Sequence, residues 1–141
     1  MMDNRGQVSF EYLMIFSISL IILIAFTLPL AETSIKNTMD VSDSLDVKYD
    51  LSKLANAVKT VYGQGQGSKQ QVILHETKNI KVNIASNQIS CSLKLKDKQK
   101  KVIKESYKSN LKKTSITLTK GENIITIEWP VDSKNMVIYR T

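Results

Sequence analysis

The sequence is poor in the residues from which most catalytic sites are built. Among 141 residues there is one cysteine, Cys91, and one histidine, His75. A lone cysteine excludes an intrachain disulfide framework and any CxxC metal knuckle. A lone histidine leaves His-based metal clusters and Ser-His-Asp triads almost nothing to draw on. The run Gly63-Gln-Gly65-Gln-Gly67 holds three of the five glycines, yet the residues that complete a phosphate-binding loop are missing around it. The expected catalytic residues, metal ligands and cofactors are therefore none, and the chain is expected not to be an enzyme.

What is present is unevenly distributed. The overall figures, 42% hydrophobic and 23% charged with a net charge of +7, look globular. From Tyr12 to Ala31, however, 20 consecutive residues carry no charge, while 15 of the 20 Lys/Arg lie beyond Tyr62. Residues 1–30 and 31–62 each sum to −1, and residues 63–141 sum to +9. That segregation argues against an ordinary soluble cytosolic domain.

Twenty uncharged residues at ~1.5 Å rise make ~30 Å of helix, the thickness of a bilayer hydrocarbon core. The stretch is apolar on all faces, which excludes an amphipathic surface helix. Three readings compete: a cleaved secretory signal, a permanent single-span anchor, and a membrane-stored helix destined for an assembly. The secretory signal fits poorly. Its n-region offers only Arg5 against Asp3, the core is too long, and Pro29-Leu30-Ala31 is a poor Ala-x-Ala site. A plain anchor fits the length but leaves Glu11 unexplained. An acidic residue within a span costs ~2.5–3.5 kcal/mol on insertion scales, less near the interface. The bland account seats Glu11 among head groups, helped by the positive end of the helix N-terminus.

The string Arg5-Gly6-Gln7-Val8-Ser9-Phe10-Glu11-Tyr12, followed by the apolar run, tips the balance toward the third. It resembles the start of an archaeal type IV prepilin of the class III signal peptide group, whose mature chains begin Gln-x-Ser-x-Glu-Tyr. Gln7, Ser9, Glu11 and Tyr12 match the four fixed positions, and the resemblance covers roughly residues 4–31. It implies that a prepilin peptidase cuts between Gly6 and Gln7 on the cytoplasmic side, removing Met1–Gly6 and leaving the apolar helix on the mature chain. It implies further partners: copies of the chain itself in a helical filament, a pilus assembly ATPase with its membrane platform, and the membrane before assembly. The implied location is the cell membrane first and an extracellular surface filament afterwards, serving surface attachment.

Within that resemblance, Gln7 and Glu11 acquire a role in subunit pairing. The free amine of a cut Gln7 and the Glu11 carboxylate of a neighbouring subunit neutralise each other in an apolar setting. Opposite charges ~4 Å apart attract by about 4 kcal/mol at an effective dielectric of 20. An N-terminal glutamine can also cyclise to pyroglutamate and lose its cation, in which case Ser9 or Tyr12 are the nearby donors for Glu11.

Beyond the apolar run, Pro29 removes one backbone hydrogen bond and reads either as a helix kink or as a stop at the membrane surface. Val47, Leu51, Leu54, Val58 and Val61 are spaced 4, 3, 4, 3, one apolar face of a helix, with Gly63 as its expected stop. The organisation expected is a leader over 1–6, a long helix over 7–62 and a head over 64–141. Within the helix, 12–31 is the membrane or filament-core segment and 32–62 an amphipathic part that packs on the head. Residues 36–46, rich in Asn, Thr, Ser and Asp, are expected to be weakly helical, and Pro29–Ser34 to be loosened. Asp40, Asp43, Asp46 and Asp50 form an acidic stripe if helical. A calcium loop would need a tight turn with glycine, which is missing here, so a solvated or salt-bridging face is the favoured reading.

The remainder alternates with period two, the mark of strands with one buried face. Val72–Leu74, Ile80–Ile84, Ile89–Leu95, Val102–Ser106, Ile116–Thr119, Ile125–Trp129 and Met136–Arg140 give six or seven strands. Lys120-Gly-Glu-Asn123 reads as a hairpin between two of them. The fold class expected is α+β: a long N-terminal hydrophobic helix of pilin type followed by a small antiparallel β-sheet or sandwich head. Cys91 reads as a buried thiol and His75 as a surface residue. Tyr107, Trp129 and Tyr139 read as core or sheet-face residues rather than a ligand platform. The head's basic residues are 14 Lys and a single Arg, Arg140, whereas phosphate and base recognition favours Arg. A solvated surface is the first reading, attraction to anionic surfaces the second, and nucleic-acid capture the third.

No Asn-x-Ser/Thr sequon occurs, whereas many archaeal surface filaments carry N-glycans, which leaves room for a minor subunit. The alternatives are thus a minor pilin or pseudopilin of a filament or secretion system, and an uncleaved single-span anchored binding protein. An archaellin fits less well, because its leader and start differ from Gln7-x-Ser-x-Glu-Tyr.

Overall fold

The computed structural model describes residues 4–96 and 99–141, with side chains from Val8 onward. One helix, α1 (Asn4–Gln64), is followed by seven strands: β1 (Lys69–Glu76), β2 (Ile80–Ile84), β3 (Gln88–Lys94), β4 (Lys100–Ser106), β5 (Thr114–Leu118), β6 (Gly121–Glu128) and β7 (Val137–Arg140). The chain divides into two units, residues 1–39 and residues 40–141. The α+β architecture expected from the sequence is the one observed.

Among the described residues the first unit is helix alone. Within its apolar stretch, the hydroxyls of Ser17, Ser19 and Thr27 donate to the carbonyls of Leu13, Ile15 and Leu23 at 2.7–2.8 Å. Such i−4 back-bonding leaves the apolar stretch with little demand for water. Pro29 lies inside α1, so the reading of Pro29 as a helix stop fails, and the Pro29–Ser34 stretch is helical too. Thr33 Oγ1 donates to the Pro29 carbonyl at 2.9 Å, one turn beyond the N–H that proline lacks.

The second unit is built on the last turns of α1. Val47, Leu51, Leu54, Val58 and Val61 are all buried, as their spacing predicts, and Ala55 and Ala57 join them. They share one core with Val72 and Leu74 of β1, Val82 and Ile84 of β2, Ile89, Cys91 and Leu93 of β3, Ile103 of β4, Leu118 of β5, and Ile125 and Ile127 of β6. The strands form two antiparallel sheets, ordered β1-β6-β7 and β4-β3-β2-β5. In register, Val72 faces Ile125, and Val82 sits between Cys91 and Ile116. Inward residues meet across the sheets at these positions.

Three local expectations need correction. The segment after β5 is not a hairpin: β5 pairs with β2, whereas β6 pairs with β1 and β7, so the chain crosses between sheets there. Buried Asn123 makes that corner. Its carboxamide accepts the Thr119 N–H at 2.9 Å and donates to the Thr119 carbonyl at 2.7 Å, while Gly121 takes a φ of 101°. The helix stop is Gly65, two residues past Gly63: with φ at 87°, Gly65 donates its N–H to the Val61 carbonyl at 3.1 Å. This is the left-handed C-terminal cap that glycine adopts without steric cost. Residues 36–46, finally, are helical throughout, and from Asp40 onward the head supplies partners for their side chains.

Candidate functional site: the apolar segment and the acidic stripe

Between Val8 and Leu30 the helix exposes 16 large apolar side chains, from Val8 and Phe10 through Phe26 to Leu28 and Leu30. The most apolar window has a mean hydropathy of 2.6 and is 0% buried, so the helix is long and apolar enough to cross a membrane. Covering a side chain of this size is worth ~1.5–3 kcal/mol, which sums to tens of kcal/mol as an upper estimate. A surface of that kind is stable only against lipid or against other protein.

Ser9, Glu11 and Tyr12 sit exposed at the start of this surface. Gly6 and Gln7 fall on the first turns of α1, and the side chain of Gln7 lies outside the described residues. Positions 7 and 11 are one turn apart on a helix and share a face. With residues 1–6 attached, the Gln7 nitrogen is a peptide amide and carries no charge. That nitrogen could therefore carry a charge to set against a carboxylate only after a cut between Gly6 and Gln7.

The acidic stripe is occupied by the head of its own chain. Asp43 meets the Lys78 ammonium at 2.8 Å. Asp40 accepts the Lys96 backbone N–H through both oxygens at 3.1 and 3.2 Å. Asp50, itself buried, accepts the His75 N–H at 3.1 Å. Burial is the main cause raising its carboxyl above the ordinary 3.8, partly offset by that hydrogen bond and by Lys53. The salt-bridging reading of the stripe holds for Asp43, with the partner on the same chain. Among the described residues no acidic, His or Cys group has the geometry to hold a metal ion.

Beside Asp50 lies a residue that the sequence reading passed over. Glu76, at the end of β1, is 6% exposed, and its Oε1 has no hydrogen-bond partner among the described residues. Burial pushes its carboxyl up to about 7, and the charges of Asp50 and Asp46 add to the rise while Lys78 opposes it. The available signal was period two, because Val72, Leu74 and Glu76 share the inward face of β1.

The remaining candidates are structural. Cys91 is buried, and burial followed by the Glu76 charge pushes its thiol up to about 11, which removes its nucleophilic character at neutral pH. Tyr107 is buried with its hydroxyl donating to the Ala85 carbonyl at 2.6 Å. Trp129 stacks on Tyr62, ring centroids 5.7 Å apart, and donates Nε1–H to the Ser133 carbonyl at 2.7 Å. Tyr139 reaches Glu128 from the sheet face at 3.2 Å. The His75 side chain is exposed, as expected, and its backbone N–H is donated to Asp50.

No curated protein and no solved structure matches the chain. Residues 4–30 match the family described as class III signal peptide. That match, on an uncovered helix of membrane-spanning length, supports a type IV pilin-like prepilin.

Proposed function

We propose that the chain is a non-catalytic structural subunit of an archaeal type IV pilus-like surface filament, with surface attachment as its role. It is held in the membrane by the apolar part of α1, loses Met1–Gly6 to a prepilin peptidase, and is then added to a filament. The assembly ATPase and its platform drive that addition. The observation that carries this reading is the coincidence of a class III signal peptide over residues 4–30 with 16 large apolar side chains left uncovered in the same segment. Transfer from lipid to a bundle of like helices keeps that surface dry, so addition of a subunit needs no exposure of it to water.

Glu11 gives the transfer its selectivity. A carboxylate at the mouth of an apolar helix is costly until a cation meets it, and removing one partner of a desolvated pair costs ~3–5 kcal/mol. A free amine on Gln7 supplies the cation, which ties assembly to prior processing. A catalysis-free role is supported by the buried thiol of Cys91 and the purely structural contacts of the buried aromatic residues. A minor subunit is the second reading, favoured by the missing Asn-x-Ser/Thr sequon.

Co-expression with a prepilin peptidase tests the processing step. The expected product is a membrane-held chain shortened by Met1–Gly6, and the Glu11→Gln chain is expected to be cut yet fail to enter filaments. A chain left intact by an active peptidase contradicts the proposal.

A further inference from the structure

The β3–β4 hairpin concentrates positive charge in a way that the fold does not need. Lys94, Lys100, Lys101 and Lys104 are all exposed on it, and the register sets Lys94 directly opposite Lys100. Like charges facing each other across a ladder are destabilising. Asp40 fastens the tip of this hairpin to α1 through the Lys96 N–H. Alongside, α1 and β4 enclose a groove of about 350 Å³. Val41, Leu45 and Val102 line it while 55%, 60% and 55% exposed, and Lys48, Lys101 and Lys104 stand around them. β4 is an edge strand, and edge protection accounts for lysines there. It does not account for three apolar side chains left bare between them.

We propose that this lysine-rimmed groove docks on the anionic head groups of the membrane that holds the apolar segment, before the subunit is assembled. The ammonium groups meet lipid phosphates, and Val41, Leu45 and Val102 reach among the head groups. Two observations select this occupant. Among the described residues the charged side chains that line it are all lysines, set around an apolar floor, the complement of an anionic lipid surface. Val41, the first groove residue in the chain, also follows the last residue of the uncharged stretch, Ala31, by only ten positions. The site rests on the membrane-held reading of that stretch, and its test separates the two.

The full chain is reconstituted into phosphatidylcholine vesicles and into vesicles containing phosphatidylglycerol, floated, and labelled with an amine-reactive reagent read by peptide mass spectrometry. Flotation with both vesicle types is expected from the apolar segment alone. Lys48, Lys101 and Lys104 are expected to react about fivefold more slowly on the anionic vesicles, as ~1 kcal/mol per surface lysine implies. Lys113, beside β5 at the opposite edge of the sheet, serves as reference. The protection is expected to vanish at high salt. Equal reactivity on both vesicle types in a chain that floats overturns the docking proposal alone. Protection that tracks protein density rather than lipid charge also overturns it, since the groove then receives a second copy. A chain that does not float overturns the membrane-held reading and the docking proposal together.

Discussion

The buried Asp50 carboxylate accepts the backbone N–H of His75 at 3.1 Å, and His75 is followed directly by the inward Glu76 at the end of β1. Two carboxyl groups thus share the joint between helix and sheet, one hydrogen-bonded and one with an orphaned oxygen. Their mutual repulsion is written into both the stability of the head and its response to pH.

Glu76 titrates at about 7 in the folded chain against an ordinary 4.5. The folded state therefore holds its proton more tightly than the unfolded state. Stability is greatest below the unfolded value, falls as pH rises between the two, and levels off above the folded value. The loss across that window is roughly 3 kcal/mol, at 1.36 kcal/mol per unit. Urea unfolding in detergent, followed by the fluorescence of Trp129, should show the head more stable at pH 5 than at pH 8. Glu76→Gln should flatten the difference. Asp50→Asn keeps an acceptor for the His75 N–H but removes a charge, so the midpoint of the slope should move to lower pH. A head that gains stability between pH 5 and pH 8 contradicts this account.

Gly65 closes α1 at a φ of 87°, with nothing within 4 Å of where a Cβ would stand. Gly65→Ala therefore meets no clash and isolates the backbone cost of a left-handed conformation, ~1–2 kcal/mol. Gly63 is also unobstructed but takes no positive φ. Gly63→Ala should accordingly be neutral or slightly stabilising. The same unfolding assay ranks the two, and equal losses at both positions would place the cap elsewhere.

Removing the apolar segment should separate solubility from fold. A chain beginning at Glu32 retains every residue of the buried core and should be monomeric in sedimentation without detergent. The chain beginning at Gln7 keeps its 16 bare apolar side chains and should aggregate under the same conditions. A soluble monomer of the longer chain would refute the view that this surface needs a covering.

The helix face and the strands were legible because each carries a period that burial enforces. Val47–Val61 repeat at 4, 3, 4, 3, and the strand residues alternate strictly enough that all seven strands appear near their expected positions. Pairing was not legible in the same way. Period two says which face of a strand is buried, but not which strand lies beside it, so Lys120–Asn123 read as a hairpin when Asn123 is the corner between two sheets. The acidic stripe was visible as a pattern but its partners were not. Lys78, the Lys96 N–H and the His75 N–H lie 25 to 56 residues away in the chain. Glu76 was missed because an acid on an inward position runs against the rule that made the neighbouring Val72 and Leu74 readable.

The central claim is that this chain is a processed filament subunit, and N-terminal peptide mass spectrometry of filaments sheared from expressing cells tests it most directly. The account predicts a chain that begins at Gln7, as the free amine or as pyroglutamate, and that co-purifies with the filaments. Its abundance there distinguishes a major from a minor subunit. A chain confined to membranes and still beginning at Met1 or Met2 would contradict the account and leave a permanently anchored surface protein in its place.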